Sequence, residues 1–536
     1  MLIQKVWRRS WLTLLIGVGT GSAAAETPPL AEGGYLGDLP VVLSVTRLAQ
    51  SLADTPGAVT VIDRDMIRRS GARTVTELLR YVPGFLVSGW NGANPIAQYH
   101  VGFAEDASRL QVFVDGRSVY SSLFVGGDAH RGLAAIVMED IERVEVLRGS
   151  NSAAYGSNAF MGVINIITRN SADTRGTLVS VSTGSNGIND QVLRYGWGNN
   201  DASFRVTAAH RGDNGYDMRE FYPSFYGSPS DNSALSQFDF RGDMRLSPQD
   251  DLLVTFGASN YRTDEGDGTK GNAPYSTSDQ AAHVMVRWNR QLSDTDAFYL
   301  SASFDDDDLN SPVYISGHSQ RSNIEFSYQQ QPLESVRTVW GTSWRRESAE
   351  SPLLFNNPGQ PSKYAQTQTR LFGNAEWRIS PHWLLNAGGL LENESGDVGS
   401  SFAPRVMMNW QPLPEHTFRI GATKATRSPS LFELYGSDLI LKPSGAVDSW
   451  DNMGRGLAKP ERVYSQEIGW LGDFRSMRLT VDLRVFQESL RDLIRRTSLP
   501  ASAQPVSGMT VKEYRNEYSA DTRGWEYQVQ WRPYEG

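Results

Sequence analysis

The sequence predicts a transmembrane antiparallel β-barrel with an N-terminal α+β plug domain lodged inside its lumen. Three observations predict it. From about residue 176 onward, apolar and polar residues alternate with period two, the signature of strands that face lipid on one side and a wet lumen on the other. The connections between those segments alternate between short turns and long polar loops. Ahead of them, residues 56–172 read as a glycine-punctuated α+β unit of ordinary domain size.

The N-terminus sets the route of the chain. Lys5, Arg8 and Arg9 precede a short apolar core from Trp11, and Ala23-Ala24-Ala25 supplies the small residues of a cleavage site. Residues 1–25 therefore read as a signal peptide cut before Glu26, since the apolar run is too short to span a bilayer as a helix. No later segment is long and apolar enough for a transmembrane helix. A net charge of −9 with 21% charged residues would suit a soluble protein. Membrane barrels share such averages, because their two faces cancel in any window. The acidic balance offers no basic stripe for nucleic acid, and the lack of cysteine excludes disulfide staples and thiolate metal sites.

Residues 26–38 form a flexible leader rich in Pro, Gly, Ala and Glu, residues 39–46 an apolar, β-branched run, and residues 47–55 a second flexible linker, which together make up the leader 26–55. Within residues 56–172, residues 58–62 read as a strand, and Asp63 caps a short helix that stops at Gly71. Thr74 and Glu77 have capping-box spacing ahead of Val75, Leu78, Leu79 and Val82, and Pro83-Gly84 ends that helix. Asp115-Gly116, flanked by apolar residues, reads as the turn of a hairpin over residues 111–120. Two further strands are expected over residues 141–148 and 162–168.

In residues 176–536 the alternation is clear. Phe298, Leu300, Ala302 and Phe304 alternate with Tyr299, Ser301 and Ser303. Trp525, Tyr527, Val529 and Trp531 alternate with Glu526, Gln528 and Gln530. Short turns fall near residues 199–201, 248–250, 333–336, 412–415 and 472–476. Long polar loops are expected at 211–234, 262–280, 305–321, 347–365, 426–461 and 489–521. Turns sorted to one rim and loops to the other mark an outer-membrane barrel rather than a soluble sandwich. Trp288, Trp340, Trp377 and Trp410 suit interfacial girdles. About sixteen strands are present, and a plug would overfill a porin-width lumen, whereas 22-stranded transporters are the plugged class. The expectation is a barrel of that class, C-terminally incomplete by about six strands.

Specific segments then carry a resemblance. They are Glu77-Leu78-Leu79-Arg80-Tyr81-Val82-Pro83-Gly84-Phe85, Val114-Asp115-Gly116-Arg117, and Ile141-Glu142-Arg143-Val144-Glu145-Val146-Leu147-Arg148-Gly149 running on to Thr168. In the barrel they are Ala425-Thr426-Arg427-Ser428-Pro429-Ser430-Leu431-Phe432-Glu433, Lys459-Pro460-Glu461-Arg462 and Thr522-Arg523-Gly524-Trp525-Glu526. With these the chain resembles a TonB-dependent outer-membrane receptor. It departs from the family where His100-Val101 precedes Gly102-Phe103, where Ser150 follows Gly149, and where Met161 precedes Gly162.

The resemblance implies active uptake of a scarce nutrient across the Gram-negative outer membrane. A ferric siderophore is the first expectation, and cobalamin or haem the alternatives. It also implies TonB as the periplasmic partner coupling uptake to the inner-membrane proton gradient, outer-membrane lipid as surroundings, and a monomer without cofactor. Leu39, Pro40, Val41, Val42, Leu43, Ser44 and Val45 are the candidate TonB box, an extended apolar segment of the kind that adds to a partner sheet. Opening the plug sheet is its other possible role. Trp90, Asn91, Tyr120 and Phe124 are candidate substrate contacts at the plug apices. Glu142, Arg143, Glu145 and Arg148 are candidate plug–barrel charge pairs, because lone charges in a lumen are costly.

The remaining signals are bland. Asp305, Asp306, Asp307 and Asp308 read as a solvated loop start without EF-hand spacing, and the 7 histidines show no metal spacing, although His100 and His318 have the chemistry to touch haem. No catalytic constellation appears, so no enzyme is expected. A passive porin is the rival reading, with conductance independent of TonB.

Overall fold

Backbone pairing and side-chain alternation build two bodies, one inside the other. The computed structural model describes residues 46–533, apart from 90–94, 101–108, 124–131, 134, 217–230, 266–274, 312–315, 397, 442–443 and 445. The candidate TonB box, Leu39 to Val45, and the candidate contacts Trp90, Asn91 and Phe124 lie outside the described residues.

The plug contains β1 (Ala58–Asp63), α1 (Arg64–Ser70), α2 (Val75–Leu78), β2 (Phe85–Gly89), β3 (Pro95–Tyr99), β4 (Leu110–Val114), β5 (Arg117–Ser118), β6 (Ile141–Arg148), α3 (Ser152–Tyr155) and β7 (Gly162–Thr168). Its main sheet runs β1-β6-β7-β4-β5, and β2 and β3 form a separate hairpin. Asp63 caps α1 by accepting from Met66 N, and Gly71 closes it with a left-handed φ of 68°. The hairpin turn falls on Asp115 and Gly116, whose φ of 48° and 86° are what a two-residue turn between right-twisted strands demands. At Thr74 only half of the expected capping box forms. Its hydroxyl accepts from Glu77 N, but the Glu77 carboxylate takes the backbone N–H of Arg73, one residue earlier. Ile62, Leu78, Leu79, Val144, Phe160 and Ile166 are fully buried at the plug's centre.

The wall follows: β8 (Gly176–Thr183), β9 (Asn189–Gly198), β10 (Ala202–Asp213), β11 (Ser233–Ser247), β12 (Asp250–Glu265), β13 (Tyr275–Gln291), β14 (Ala297–Asn310), β15 (Ser316–Leu333) and β16 (Val336–Glu350). It continues with β17 (Lys363–Ser380), β18 (Trp383–Glu394), β19 (Gly399–Leu413), β20 (His416–Arg427), α4 (Leu431–Tyr435), β21 (Ser437–Leu441), β22 (Val447–Met453), β23 (Glu461–Phe474), β24 (Leu479–Ser498) and β25 (Lys512–Trp531). The ring order takes in all of β8–β25 and sets β25 beside β8. Among the described residues, however, β8 has its register with β9 alone, whereas β25 pairs along its length with β24 and through one bridge with β22. β20 pairs directly with β23 along its whole length, so β21 and β22 form a hairpin set aside from the wall. The wall proper is thus β8–β20 and β23–β25, the sixteen strands that the alternation predicts.

Outward positions are apolar and open: Leu371, Ile420 and Ile468 are each more than half exposed. Leaving such side chains in water costs roughly 1.5–3 kcal/mol apiece, a cost that lipid removes. Inward positions on the same strands are polar and buried, among them Arg370, Arg419 and Ser465.

The strands run further than the loops predicted. Asp305–Asp308 is no loop start: it lies within β14, with Asp305 buried inward against Arg117 and Asp306 facing outward beside His318. β24 and β25 likewise continue through most of the predicted loop at 489–521, each reaching 20 residues. About 10 residues suffice to cross the hydrocarbon. Beyond it, ladder pairing still satisfies the backbone and no longer needs an apolar face.

Gly149 closes β6 at φ 96°, and a Cβ there would lie 2.6 Å from Arg484 Nη2. Gly149→Val is expected to loosen the plug by about 1–3 kcal/mol through strain and displacement of Arg484. Hydrogen exchange of the β6 and β7 amides should speed up accordingly, and unchanged protection would contradict this packing.

Candidate functional site

Residues 46–57, immediately after the candidate box, lie as a strap across the inner face of β15–β20 near the short-turn rim. Arg47 is its first anchor. Its φ of 65° is costly for a side-chain-bearing residue, on the order of 1 kcal/mol, and many contacts hold it there. Its Nε donates to Ala154 O at 2.7 Å and its Nη1 to the Tyr299 hydroxyl at 3.1 Å, while the guanidinium pairs with Glu325. The same group lies 4.1 Å from the centre of the Phe372 ring and 5.0 Å from that of Tyr155, a stacked cation between two aromatic faces.

From there the wall grips the strap strand by strand. Arg337 donates to Ala49 O at 3.2 Å, and the Gln50 amide donates to Glu376 and Asn386. Arg378 bonds Asp54 at 2.7 Å, Asn409 takes the carbonyls of Ala53 and Thr55, and Arg405 and Arg419 take those of Pro56 and Gly57. The expectation of a free linker up to residue 55 is therefore corrected. A composition rich in small and polar residues signals a lack of apolar core contacts, but carbonyls can still be held by donors from a polar wall.

Charge pairs join the plug body to other strands. Arg73 forks onto Asp190 and Asp213 at 2.7 Å each. Asp140 meets Arg194 and Arg205, Asp115 meets Arg241, and Arg117 meets Asp305. Of the four candidate pairing residues, Arg148 crosses to the wall, binding Glu526 at 3.0 Å and Asp482 at 3.3 Å. Arg143 and Glu145 pair with each other at 2.9 Å, and Glu142 approaches Arg169 at 3.7 Å, so these pairs stay within the plug. The alternating signs along β6 put both partners of one pair on the same strand, which the spacing could not distinguish from pairing across.

Next to Arg148 lies a cluster that sequence reasoning missed. His100 stacks between Tyr99 at 3.9 Å and Phe486 at 4.5 Å. Its Nε2 sits 2.6 Å from Glu526 and its Nδ1 3.5 Å from Glu488, with Arg484 bonded to the Tyr99 hydroxyl behind it. Burial by itself lowers the His100 pKa, but the hydrogen bonds and charges of Glu488 and Glu526 outweigh it and raise it above the ordinary imidazole value. A second missed cluster explains two of the family-like segments. Glu461 accepts from both Arg109 and Arg427, and Arg427 also forks onto Glu433, which closes a capping box with Ser430 at the start of α4.

Tyr120 is buried, with its hydroxyl donating to Leu110 O, and with Ser121 and Ser122 it lines a partly open cavity whose empty space of about 430 Å³ includes open solvent. That cavity lies between the plug and the long-loop half of β15–β18. Arg321, Arg345, Glu347 and Gln368 line its wall side, and Ser157 and Asn158 its plug side. No metal-ligating cluster occurs among the described residues.

Comparison with known proteins fits both bodies. Residues 51–163 match the family model described as TonB-dependent receptor plug domain, and residues 172–535 match TonB dependent receptor-like, beta-barrel. A vitamin B12 transporter, BtuB, of Vibrio vulnificus is 25% identical over 474 residues, covering 85% of this chain and 70% of that protein. An iron-regulated outer membrane virulence protein of Vibrio cholerae is 25% identical over 512 residues, covering 91% and 74%. Among solved structures, the siderophore receptor PirA of Acinetobacter baumannii superposes with a TM-score of 0.72 at 16% identity, covering 88% of this chain and 77% of that one. At that identity the likeness speaks for the fold alone.

Two outcomes follow from the geometry. Arg47→Ala removes the first anchor, so a spin label placed ahead of it is expected to gain mobility; an unchanged spectrum would rule out the anchoring role. The raised His100 pKa contributes stability that is fully present below about pH 6.5 and is lost as pH rises through the folded value. His100→Ala should therefore weaken protection of the β3 amides at about pH 6, by roughly 1–3 kcal/mol, and have a smaller effect at about pH 9. Equal effects at both would show that the imidazole is held uncharged.

Proposed function

The chain belongs to the TonB-dependent receptors, transporters of the Gram-negative outer membrane, and we propose that its cargo is a ferric siderophore. TonB, working from the periplasm, supplies the energy that this family requires. The observation that carries the active-uptake reading is the strap. A segment held by hydrogen bonds and ion pairs to six successive strands, continuous in sequence with a candidate TonB box, suits a handle that a periplasmic partner pulls. A passive porin has no use for such an attachment, nor for a plug seated by buried charge pairs.

Cargo chemistry is read from the cavity facing the long loops. Arg321 and Arg345, which share Glu347, and the hydroxyls of Ser121, Ser122 and Ser430 present donors to an oxygen-rich chelate, with Glu347 and Glu394 balancing the charge of the lining. An iron-regulated outer membrane virulence protein of Vibrio cholerae is among the similar proteins, which favours the same class. Cobalamin is the second reading, supported by the similarity to a vitamin B12 transporter. The domain limits follow the same logic: signal peptide 1–25, leader with box 26–55, plug 56–172 and barrel from 176.

Deleting residues 39–45 tests the handle. Uptake is expected to vanish while cargo binding to whole cells persists, and undiminished uptake would reject the box. Feeding a strain that depends on this receptor with a panel of ferric siderophores or with cyanocobalamin tests the cargo. Growth rescued by cyanocobalamin alone would overturn the siderophore assignment.

A further inference from the structure

We propose that the outer face of β20 and β23–β25 carries a binding site for a phosphate-bearing lipid of the outer leaflet, headed by Lys424 and Arg523. The site lies on the lipid side of the wall and is independent of cargo and of TonB.

Strand register fixes the outward rows of this face. Ile420, Ile468, Val485 and Trp525 stand side by side, each about half exposed or more, as part of the apolar belt. One row nearer the long loops stand Ala422, Gln466, Gln487 and Arg523. The next row holds Lys424, Tyr464, Ser489 and Asp521, and above it Arg462 faces Arg491. The polar rows thus begin where the apolar ones stop. Arg523 is eight residues from Trp531 on β25, about 27 Å along the tilted strand, close to the far edge of an apolar band of about 25 Å.

The charges of these rows do not cancel. Arg462 bonds Asp492 at 2.7 Å and Arg491 bonds Asp521 at 2.8 Å. Lys424 and Arg523 meet no carboxylate among the described residues. Four cations against two carboxylates leave the patch positive. On β12–β16 the outward charges at the same end have the opposite balance, with Arg262 and Arg346 against Asp264, Asp306, Asp308 and Glu350. The positive patch is therefore local to one side of the wall.

A cation at the belt's edge, without a protein partner, is best matched by an anion held at that same height. A lipid phosphate is held there by its own chains. Below the cations, Ile420, Ile468, Val485 and Trp525, and then Phe418, Trp470, Leu483 and Tyr527, form successive apolar rows on which acyl chains lie. Gln466, Gln487 and Tyr464 add amides and a hydroxyl between the two cations. A free phosphate gains nothing from the apolar rows, so the juxtaposition favours an amphiphile with an anionic head.

The purified full chain in a charge-neutral detergent is titrated with bisphosphorylated lipid A, and bound lipid is counted by native mass spectrometry. Each cation at an anionic lipid surface is worth about fivefold in affinity, so Lys424→Gln with Arg523→Gln is expected to weaken binding about twentyfold. Arg262→Gln with Arg346→Gln, on the other side of the wall, is expected to leave it unchanged. Dephosphorylated lipid A, with the same chains, is expected to bind the unaltered protein as weakly as the double variant binds the phosphorylated form. Equal binding by all variants, no preference for the phosphorylated probe, or an equal loss in the Arg262 and Arg346 control would each overturn the site. Displacement of the lipid by an equal concentration of inorganic phosphate would show a free-anion site instead.

Discussion

A charge enclosed between a plug and a wall has no water to solvate it, and this constraint decides how the two bodies fit. Arg148, Arg205, Arg427 and Arg484 are among the largest fully buried side chains, and each meets one or more carboxylates. Such pairs add little net stability over an apolar contact, because desolvation offsets most of the attraction. What they add is position. A plug rotated or shifted by one strand would leave several charges stranded at about 3–5 kcal/mol each. The seat is therefore specific without being a hydrophobic core, which suits a body that must sit in one place and yet come partly away.

The strap obeys a different rule. Its attachments are largely carbonyl oxygens and amides taken one at a time by wall side chains, with ion pairs at Arg47 and Asp54. Each such bond contributes roughly 0.5–1.5 kcal/mol, and more where a charge is involved. Because the strap crosses the strands rather than running along them, tension from its N-terminal end loads Arg47 before Ala49, and Ala49 before Asp54. A series of small steps replaces one large one. The chemistry that holds residues 46–57 is thus suited to release, whereas that of Arg148 and Arg73 is suited to retention.

Much of the architecture was legible in the sequence because it rests on local patterns. Period-two alternation in Phe298–Phe304 or Trp525–Trp531 follows directly from strands between lipid and lumen, and Asp115-Gly116 has the backbone freedom its turn requires. The family-like segments also kept their meaning once Arg427 and Glu461 were seen in contact. Partners distant in sequence were not legible. Nothing near Arg47 announces Glu325, and nothing near His100 announces Glu526, because both are brought together only by closure of the wall around the plug. Asp305–Asp308 misled for the opposite reason: a run of like charges looks like a loop, yet alternate facing in β14 sends its members to opposite sides.

Under tension the strap comes away before, and independently of, the plug body. Pulling the bilayer-embedded chain from an N-terminal handle by force spectroscopy measures this directly. A first, low-force event is expected to free residues 46–57, about 40 Å of extended chain, while the plug stays seated. A first event that releases the whole plug in one step would contradict it.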